Sequence, residues 1–503
     1  MENVFEKNRA ILTAIIYGTL LLDNILLTVI VPILPDFLQS FNNKTQSKLN
    51  IPSSVLYKSF DLHYIPNSML NKHPVAGNTL RNVSKDHLLQ HNNGQGISTF
   101  NVEMENGNVG ILLAVKAFVQ LFFNPIVGNL SGRFGYKNLI FCGTINLLIS
   151  SLIFCVGDSF LMLLIARAVE GIGSACINVC GMSLIAQLYP EDHHRSKVMG
   201  IVLGSIALGV LFGYPLGGIL YDFVSESAPF IIIAFFLFTD LAFQITFFDF
   251  SKSEYEVNDM ENRRKNGSPQ WIQLLSNKLV FTITGAIWLS TSAMAILEPL
   301  LPIWLIAHLH PKKWQLGTVF IPDSAGYFIG TNFFGTVAFK IGQIKMSVIA
   351  IMVVGVSCAI IPEAKTVTSL IIPHFCLGLG IGILDTSLVP YLARIADSVI
   401  TSADDCSEVS DVSASNYGNV YAIQQSAVSL AYSIVPFLGG ELAESMGFRT
   451  IMRILGITNF IYGPILLYIT MKHNLNSLTT KEPDLLLKET NPSNYRRFYD
   501  SID

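Results

Sequence analysis

The chain has 503 residues, 51% of them hydrophobic and only 14% charged. Its 37 glycines raise the apolar share to about 58%, against roughly 45–50% for a soluble domain. Those proportions argue against an ordinary water-soluble enzyme, and a net charge of −4 offers no basic surface for nucleic acid, so the expected solvent is a lipid bilayer.

A bilayer core about 30 Å thick needs roughly 20 apolar residues per helix. Twelve such runs are predicted, over 11–36, 108–128, 138–157, 159–188, 197–221, 229–249, 279–304, 315–339, 345–362, 367–393, 418–438 and 449–470. The first lacks the basic flank and cleavage site of a signal peptide and is read as a retained membrane helix. Six of the seven cysteines (Cys142, Cys155, Cys176, Cys180, Cys358 and Cys376) lie in apolar runs without metal-ligand spacing, and no metal is expected.

Placing the N-terminus in the cytosol puts 19 Lys and Arg in the connections and tails of that side, against four in the opposite short loops. The polar segment 38–107 then faces away from the cytosol, where the sequons at Asn43 and Asn82 are accessible to glycosylation. The organisation expected is an N-terminus 1–10, a six-helix bundle 11–249 that includes loop 38–107, a cytosolic linker 250–278, a second six-helix bundle 279–470 and a cytosolic tail 471–503.

A weak internal repeat supports this division. Val31-Pro32-Ile33-Leu34-Pro35 resembles Glu298-Pro299-Leu300-Leu301-Pro302, and Arg133-Phe134-Gly135 resembles Lys340-Ile341-Gly342 at an offset of 207. Gly171-Ile172-Gly173 matches Gly380-Ile381-Gly382 at 209, and Gly217-Gly218 matches Gly439-Gly440. With Gly128 through Gly135 after the second run and Gly209 through Gly218 in the fifth, the pattern resembles the major facilitator superfamily, although Gly132 stands where that family usually has an acid. The resemblance implies an all-α membrane protein of twelve transmembrane helices in two pseudo-symmetric bundles. No Walker A sequence or HExxH motif is present, so energy is not expected from ATP hydrolysis on this chain, and neither enzymatic activity nor a cofactor is expected.

Charges inside the apolar runs carry the chemistry: Asp23, Lys116, Arg167, Glu170, Glu298, Asp323 and Asp385. Each would cost about 2.5–3.5 kcal/mol at a helix centre if unpaired, so they are expected to meet in a wet cavity. Five acids against two bases make that cavity attractive to cations and to protons. Two bland readings stand beside this one. Arg167 and Glu170 are i, i+3 neighbours that can neutralise each other, and Asp323 can be an exposed or capping residue near a helix end.

The flanks of these charges sharpen the resemblance. Leu21-Leu22-Asp23-Asn24-Ile25, Leu164-Ile165-Ala166-Arg167, Leu297-Glu298-Pro299, Ile329-Gly330-Thr331-Asn332 and Val420-Tyr421-Ala422-Ile423 look like the vesicular amine transporters, the monoamine and acetylcholine carriers of secretory vesicles. By that resemblance Asp23 and Glu298 would hold a small cationic amine, with Asn24, Tyr327 and Tyr432 lining its pocket. Asp385 would carry the transported proton, Lys116 would pair with the acids, Arg167 would support the network and Trp304 would help close a luminal gate. Aromatic rings beside carboxylates suit an aryl-ethylamine through cation–π contacts.

Three departures from the family pattern stand out. Its acid in the eleventh helix falls at Gln425, which cannot titrate; Glu170 stands where members often carry Gln and offers a relocated charge; and loop 38–107 has no cysteine for a luminal disulfide. Glu482-Pro483-Asp484-Leu485-Leu486-Leu487 resembles an acidic-dileucine signal for a sorting adaptor. The expected function is proton-coupled antiport of a cationic amine, a monoamine in preference to acetylcholine, into synaptic or other secretory vesicles. A plasma-membrane organic-cation or drug exporter and a non-transporting membrane binding protein are the competing readings.

Overall fold

The computed structural model describes residues 2–31, 33, 110–157, 159–248, 270–309, 311, 315, 318–403 and 412–489. Loop 38–107 with Asn43 and Asn82, most of the linker, Cys406 and residues 490–503 lie outside the described residues, as do the side chains of the dileucine segment.

Twelve long helices are seen among the described residues: α1 (Glu2–Val29), α2 (Gly110–Phe134), α3 (Tyr136–Val156), α4 (Phe160–Leu188), α5 (Asp192–Phe223), α6 (Ala228–Phe247), α7 (Lys278–Leu309), α8 (Ile321–Ile341), α9 (Gln343–Ile360), α10 (Ile371–Ala403), α11 (Val412–Met446) and α12 (Phe448–Glu489). A short helix, Gln270–Ser276, precedes α7. Ten of the twelve are long and apolar enough, by length and composition, to cross a membrane, and the hydropathy of α8 and α11 is diluted by polar residues. Both turn polar side chains inward: Asp323, Ser324 and Thr331 of α8 and Gln424, Gln425, Ser429 and Ser433 of α11 are buried. The outer surface is the reverse, with rings such as Phe118, Phe122, Phe235 and Phe238 exposed as a lipid-facing side requires.

Helix ends also differ from expectation. The first run was expected to reach residue 36, but α1 stops at Val29, because Pro32 disfavours helical geometry just before it. At the other end α12 passes the expected limit of 470 and runs 42 residues to Glu489. At 1.5 Å per residue that is about 63 Å, twice the thickness of a bilayer core, so its last turns stand clear of the apolar layer.

In the first half α1 packs on α5 and α6, and α3 on α4 and α6; in the second, α8 packs on α10, α9 on α10 and α12, and α7 on α11 and α12. Contacts between the halves run through α5 with α8 and α10, and α4 with α11. The turns support the repeat. Gly135 between α2 and α3 and Gly342 between α8 and α9 have φ of 75° and 113°, a region L side chains resist, so the matched glycines do the same work in each half.

The glycine pairs of α4 and α10 correct the repeat's register. A Cβ on Gly171 would stand 2.6 Å from the Lys116 carbonyl oxygen on α2, and one on Gly173 would stand 2.8 Å from that of Gly143 on α3. In the second half the residues facing α8 and α9 in the same way are Gly378, against the Asp323 carbonyl, and Gly380, against that of Ala350. The matches are therefore Gly171 with Gly378 and Gly173 with Gly380, at the same offset of 207 as the turns. The pairing with Gly380-Ile381-Gly382 was two residues out because a Gly-x-Gly-x-Gly run gives two equally good alignments. In this register Lys116 corresponds to Asp323, and Arg167 to His374.

The halves approach most closely on the face where α1 begins, here the near face. A Cβ on Gly200 of α5 would lie 2.6 Å from the Thr331 carbonyl oxygen of α8, and one on Gly128 of α2 would lie 2.6 Å from Ala422 Cβ of α11. Small residues let these backbones touch.

Candidate functional site

The seven intramembrane charges form two groups. In the first half the Lys116 ammonium of α2 lies 3.2 Å from Asp23 Oδ1 of α1 and 3.0 Å from Glu170 Oε1 of α4. Arg167 Nη1 donates to Glu170 Oε2 at 2.8 Å, and Nη2 to the Leu27 carbonyl at 3.1 Å. Ser174 Oγ and Asn178 Nδ2 donate to the two oxygens of Asp23, at 2.5 and 3.0 Å. All four charged residues are buried. Arg167 and Glu170 are thus i, i+3 partners, as their spacing allows, but Lys116 joins them to Asp23 in a neutral set of two acids and two bases. Moving such ions out of water costs several kcal/mol each, which mutual pairing offsets.

The second group stands on the other half. Tyr327 on α8 donates its hydroxyl to Asp385 Oδ2 on α10 at 2.9 Å, and Tyr432 on α11 lies within electrostatic reach of the Glu298 carboxylate on α7. These four side chains are half-buried. Asp323 is 7% exposed and within electrostatic reach of Glu298. Its reading as an exposed or capping residue is corrected: it stands in the first turn of α8, on the face that looks inward. Among the described residues no Lys or Arg pairs with Glu298, Asp323 or Asp385.

Tyr214 of α5 lies within electrostatic reach of both groups, of Glu298 and Asp323 in the second and of Arg167 in the first. The first half therefore carries a neutral network, and the second carries three carboxylates without a basic partner among the described residues. Of the residues expected to bind substrate, Glu298, Tyr327 and Tyr432 come together. Asp23 is saturated by Lys116, Ser174 and Asn178, and Asn24 donates to its own helix at the Leu20 carbonyl, 2.8 Å away, beside Gly209. Gln425 is buried on α11.

Trp304 stacks on His308 and on Phe448, with ring centroids 5.3 and 5.2 Å apart, and is buried among second-half residues. The ring pair that spans the halves on the far face is Tyr214–Phe320, at 6.1 Å and 15°. Neither ring was singled out from sequence. A near-face cluster was also missed. Arg195 of α5 bonds to Asp192, reaches Asp397 Oδ2 of α10 at 3.0 Å and approaches the Tyr417 hydroxyl of α11 at 3.4 Å, while Tyr417 donates to Asp397 Oδ1 at 2.5 Å. Its residues sit beside loops, where charge is ordinary, so no one-dimensional signal marks them. Among the described residues no group of three His, Cys, Asp or Glu is placed to hold a metal ion.

The family model of the Major Facilitator Superfamily matches residues 16–402. The chain is 35% identical over 478 residues to the human synaptic vesicular amine transporter, covering 92% of this chain and 88% of that one. It is 34% identical over 486 residues to the human chromaffin granule amine transporter, with the same coverage. Against the vesicular acetylcholine transporter of Torpedo marmorata identity is 28% over 490 residues, covering 96% and 86%. The crystal structure of the human organic anion transporter MFSD10 superposes with a TM-score of 0.65 at 15% identity, covering 91% of this chain and 99% of that one, a likeness of fold. A helical chain in two packed halves, with buried charges at their junction and relatives of this identity and span, belongs to the vesicular amine transporters of the major facilitator superfamily.

Proposed function

We propose that this chain is a proton-coupled antiporter that loads a cationic amine, of the monoamine class, from the cytosol into acidic secretory vesicles. The observation that carries the reading is the unbalanced carboxylate group of the second half. Asp385, held by the Tyr327 hydroxyl, and Glu298, near Tyr432, stand on the second half without a basic partner among the described residues, while Lys116 and Arg167 are drawn into the neutral network of the first. A cation arriving there meets uncompensated negative charge in low dielectric.

In this mechanism Glu298 receives the ammonium while Tyr432 orients its carboxylate, and Tyr327 orients Asp385, which takes the proton. A luminal proton that neutralises a carboxylate weakens its hold on the amine and favours release. The Asp23–Lys116–Glu170–Arg167 network ties α1, α2 and α4 into one rigid wall, against which the second half rocks. Both termini face the cytosol, loop 38–107 faces the vesicle lumen with glycans at Asn43 and Asn82, and the tail dileucine meets a sorting adaptor.

The identity of 34–36% with amine transporters, against 28% with the acetylcholine carrier, favours a monoamine. Uptake of labelled serotonin, dopamine and acetylcholine into acidified vesicles holding the full chain tests this. The expected result is monoamine accumulation that a proton uncoupler abolishes. Accumulation untouched by the uncoupler, or none of any amine, overturns it.

A further inference from the structure

We propose that Asp240, on α6 of the first half, is a proton-binding site that loads and releases a proton in each transport cycle, apart from the carboxylates of the second half. The proposal deepens the antiport reading and rests on it for the cycle, while its spectroscopic test below stands alone.

Asp240 interrupts the apolar run of α6 as the other intramembrane acids interrupt theirs, and it is only 8% exposed. Its partners are neutral. Thr19 of α1 places its hydroxyl 2.7 Å from Asp240 Oδ2, and Gln244, one turn along α6, places Nε2 2.8 Å from the same oxygen. Among the described residues no Lys or Arg forms an ion pair with it, Lys116 and Arg167 being committed to Asp23 and Glu170. The helices packed against α6 are α1, α3 and α5. On α1, Asp23 lies one turn beyond Thr19 and is held by Lys116, while Glu6, Lys7 and Arg9 stand at the near end, as Lys137 does on α3. Between Lys197 and Asp222, α5 carries no charge, only Tyr214 and Tyr221. Tyr17 and Cys142, two residues from Thr19 and Thr144, make no hydrogen bond to the acid.

The hydrogens of this cluster do not cover its acceptors. Thr19 has one hydroxyl hydrogen and two acceptors in reach, the Ile15 carbonyl at 2.9 Å and Asp240 Oδ2. Thr144 of α3 has one, with the Ile140 carbonyl at 3.0 Å. The Gln244 amide has two, with Thr144 Oγ1 at 2.9 Å and Thr19 Oγ1 at 3.2 Å beside Asp240. Four hydrogens thus serve six contacts, and Gln244 Oε1, buried in the same cluster, has no donor at all. One more hydrogen fits. While the carboxylate is ionised, Thr19 donates to it. Once Oδ2 carries a proton it donates to Thr19 Oγ1, and the threonine turns its own hydrogen to the Ile15 oxygen already in range. The acid therefore changes charge without a heavy atom moving, as reversible proton binding requires. Thr19, Thr144 and Gln244 are fully buried and Asp240 keeps some exposed surface, so the cluster opens at the acid. Thr19 and Asp23 share one face of α1, so charge at Asp240 acts on the helix that carries the Lys116 network.

Infrared difference spectra of the purified full chain, recorded across a pH titration, read the carbonyl stretch of protonated carboxyls directly. That band should lose intensity in Asp240→Asn, close to isosteric and checked for fold by its melting temperature. Uptake of labelled serotonin into vesicles with the membrane potential collapsed reads the cycle, because each exchanged proton multiplies the steady-state amine gradient about tenfold per unit of pH difference. At one unit, Asp240→Asn should lower that gradient about tenfold or more, the loss of one proton per amine. Thr19→Val removes the hydroxyl that turns and should shift the pH midpoint of the Asp240 band, whereas Thr19→Ser should leave it in place. Identical titrations with and without Asp240, an amine gradient unchanged in Asp240→Asn, or a midpoint that Thr19→Val does not move overturns the proposal. If Asp240→Asn does not fold, the Thr19→Val titration decides it alone. A titrating Asp240 in a chain that accumulates no amine would leave the proton site standing and remove the transport reading.

Discussion

The Lys116 ammonium lies 3.0 Å from Glu170 Oε1 inside the first half, so an acid on α4 closes a network that would otherwise carry one positive charge too many. Glu170→Gln leaves Lys116 and Arg167 facing Asp23 alone. Breaking a buried ion pair from one side costs about 3–5 kcal/mol, and a clear fall in the melting temperature of the detergent-solubilised chain is expected. Adding Lys116→Met to that variant restores neutrality and should recover most of the loss. A single variant that melts with the unmodified chain would show that Glu170 does not balance these bases.

Arg195 is the near-face counterpart, because one guanidinium from the first half reaches Asp397 and Tyr417 of the second. In Arg195→Gln the charged half of this clasp is lost, and the near face should spend more time open. The neighbouring Ser196 is 1% exposed and donor-linked across the halves, receiving Gln343 Nε2 at 3.1 Å. Ser196→Cys, in a background without the native cysteines, should therefore react slowly with a membrane-impermeant maleimide. Addition of Arg195→Gln should raise that rate about tenfold, as a shift of roughly 1.4 kcal/mol in the opening equilibrium requires.

Gly200 makes a sharper demand, since its missing Cβ lets α5 lie against the Thr331 carbonyl of α8. The obstacle to a side chain there is backbone, which cannot turn aside. Gly200→Val should hold the near face apart: equilibrium binding of labelled amine persists, while accumulation driven by a proton gradient is lost. Normal accumulation would mean that the halves do not need this contact to complete their cycle.

Much of this arrangement is legible in the sequence for a physical reason. Asp23, Lys116, Arg167, Glu298 and Asp385 each interrupt an apolar run, and such an interruption is costly enough to signal itself. The positive-φ glycines at 135 and 342 follow from matching turn motifs, since a tight reversal demands the same backbone freedom in both halves. What stayed hidden depends on partners distant in the chain. Asp323 sits in a first helical turn, where an acid is also a good cap, and only the packing of α8 shows that it is buried. Asp23 looks like a free acid on its own helix, yet its three donors come from α2 and α4. The buried polar residues of α8 and α11 dilute the hydropathy of these helices.

Two aromatic residues allow gating to be tested apart from packing. Trp304, expected at a luminal gate, meets His308 and Phe448 within the second half, and Tyr214 stacks on Phe320 across the halves. Trp304→Ala removes a buried ring and should lower stability by about 3–5 kcal/mol, read as a drop in melting temperature. Tyr214→Ala removes a half-buried ring at the junction. It should leave melting nearly unchanged and accelerate escape of preloaded labelled amine towards the far face several-fold, because the stack no longer closes that path. If Trp304→Ala speeds escape with no loss of stability while Tyr214→Ala leaves it unchanged, the roles of the two rings are reversed and the far-face closure lies on α7.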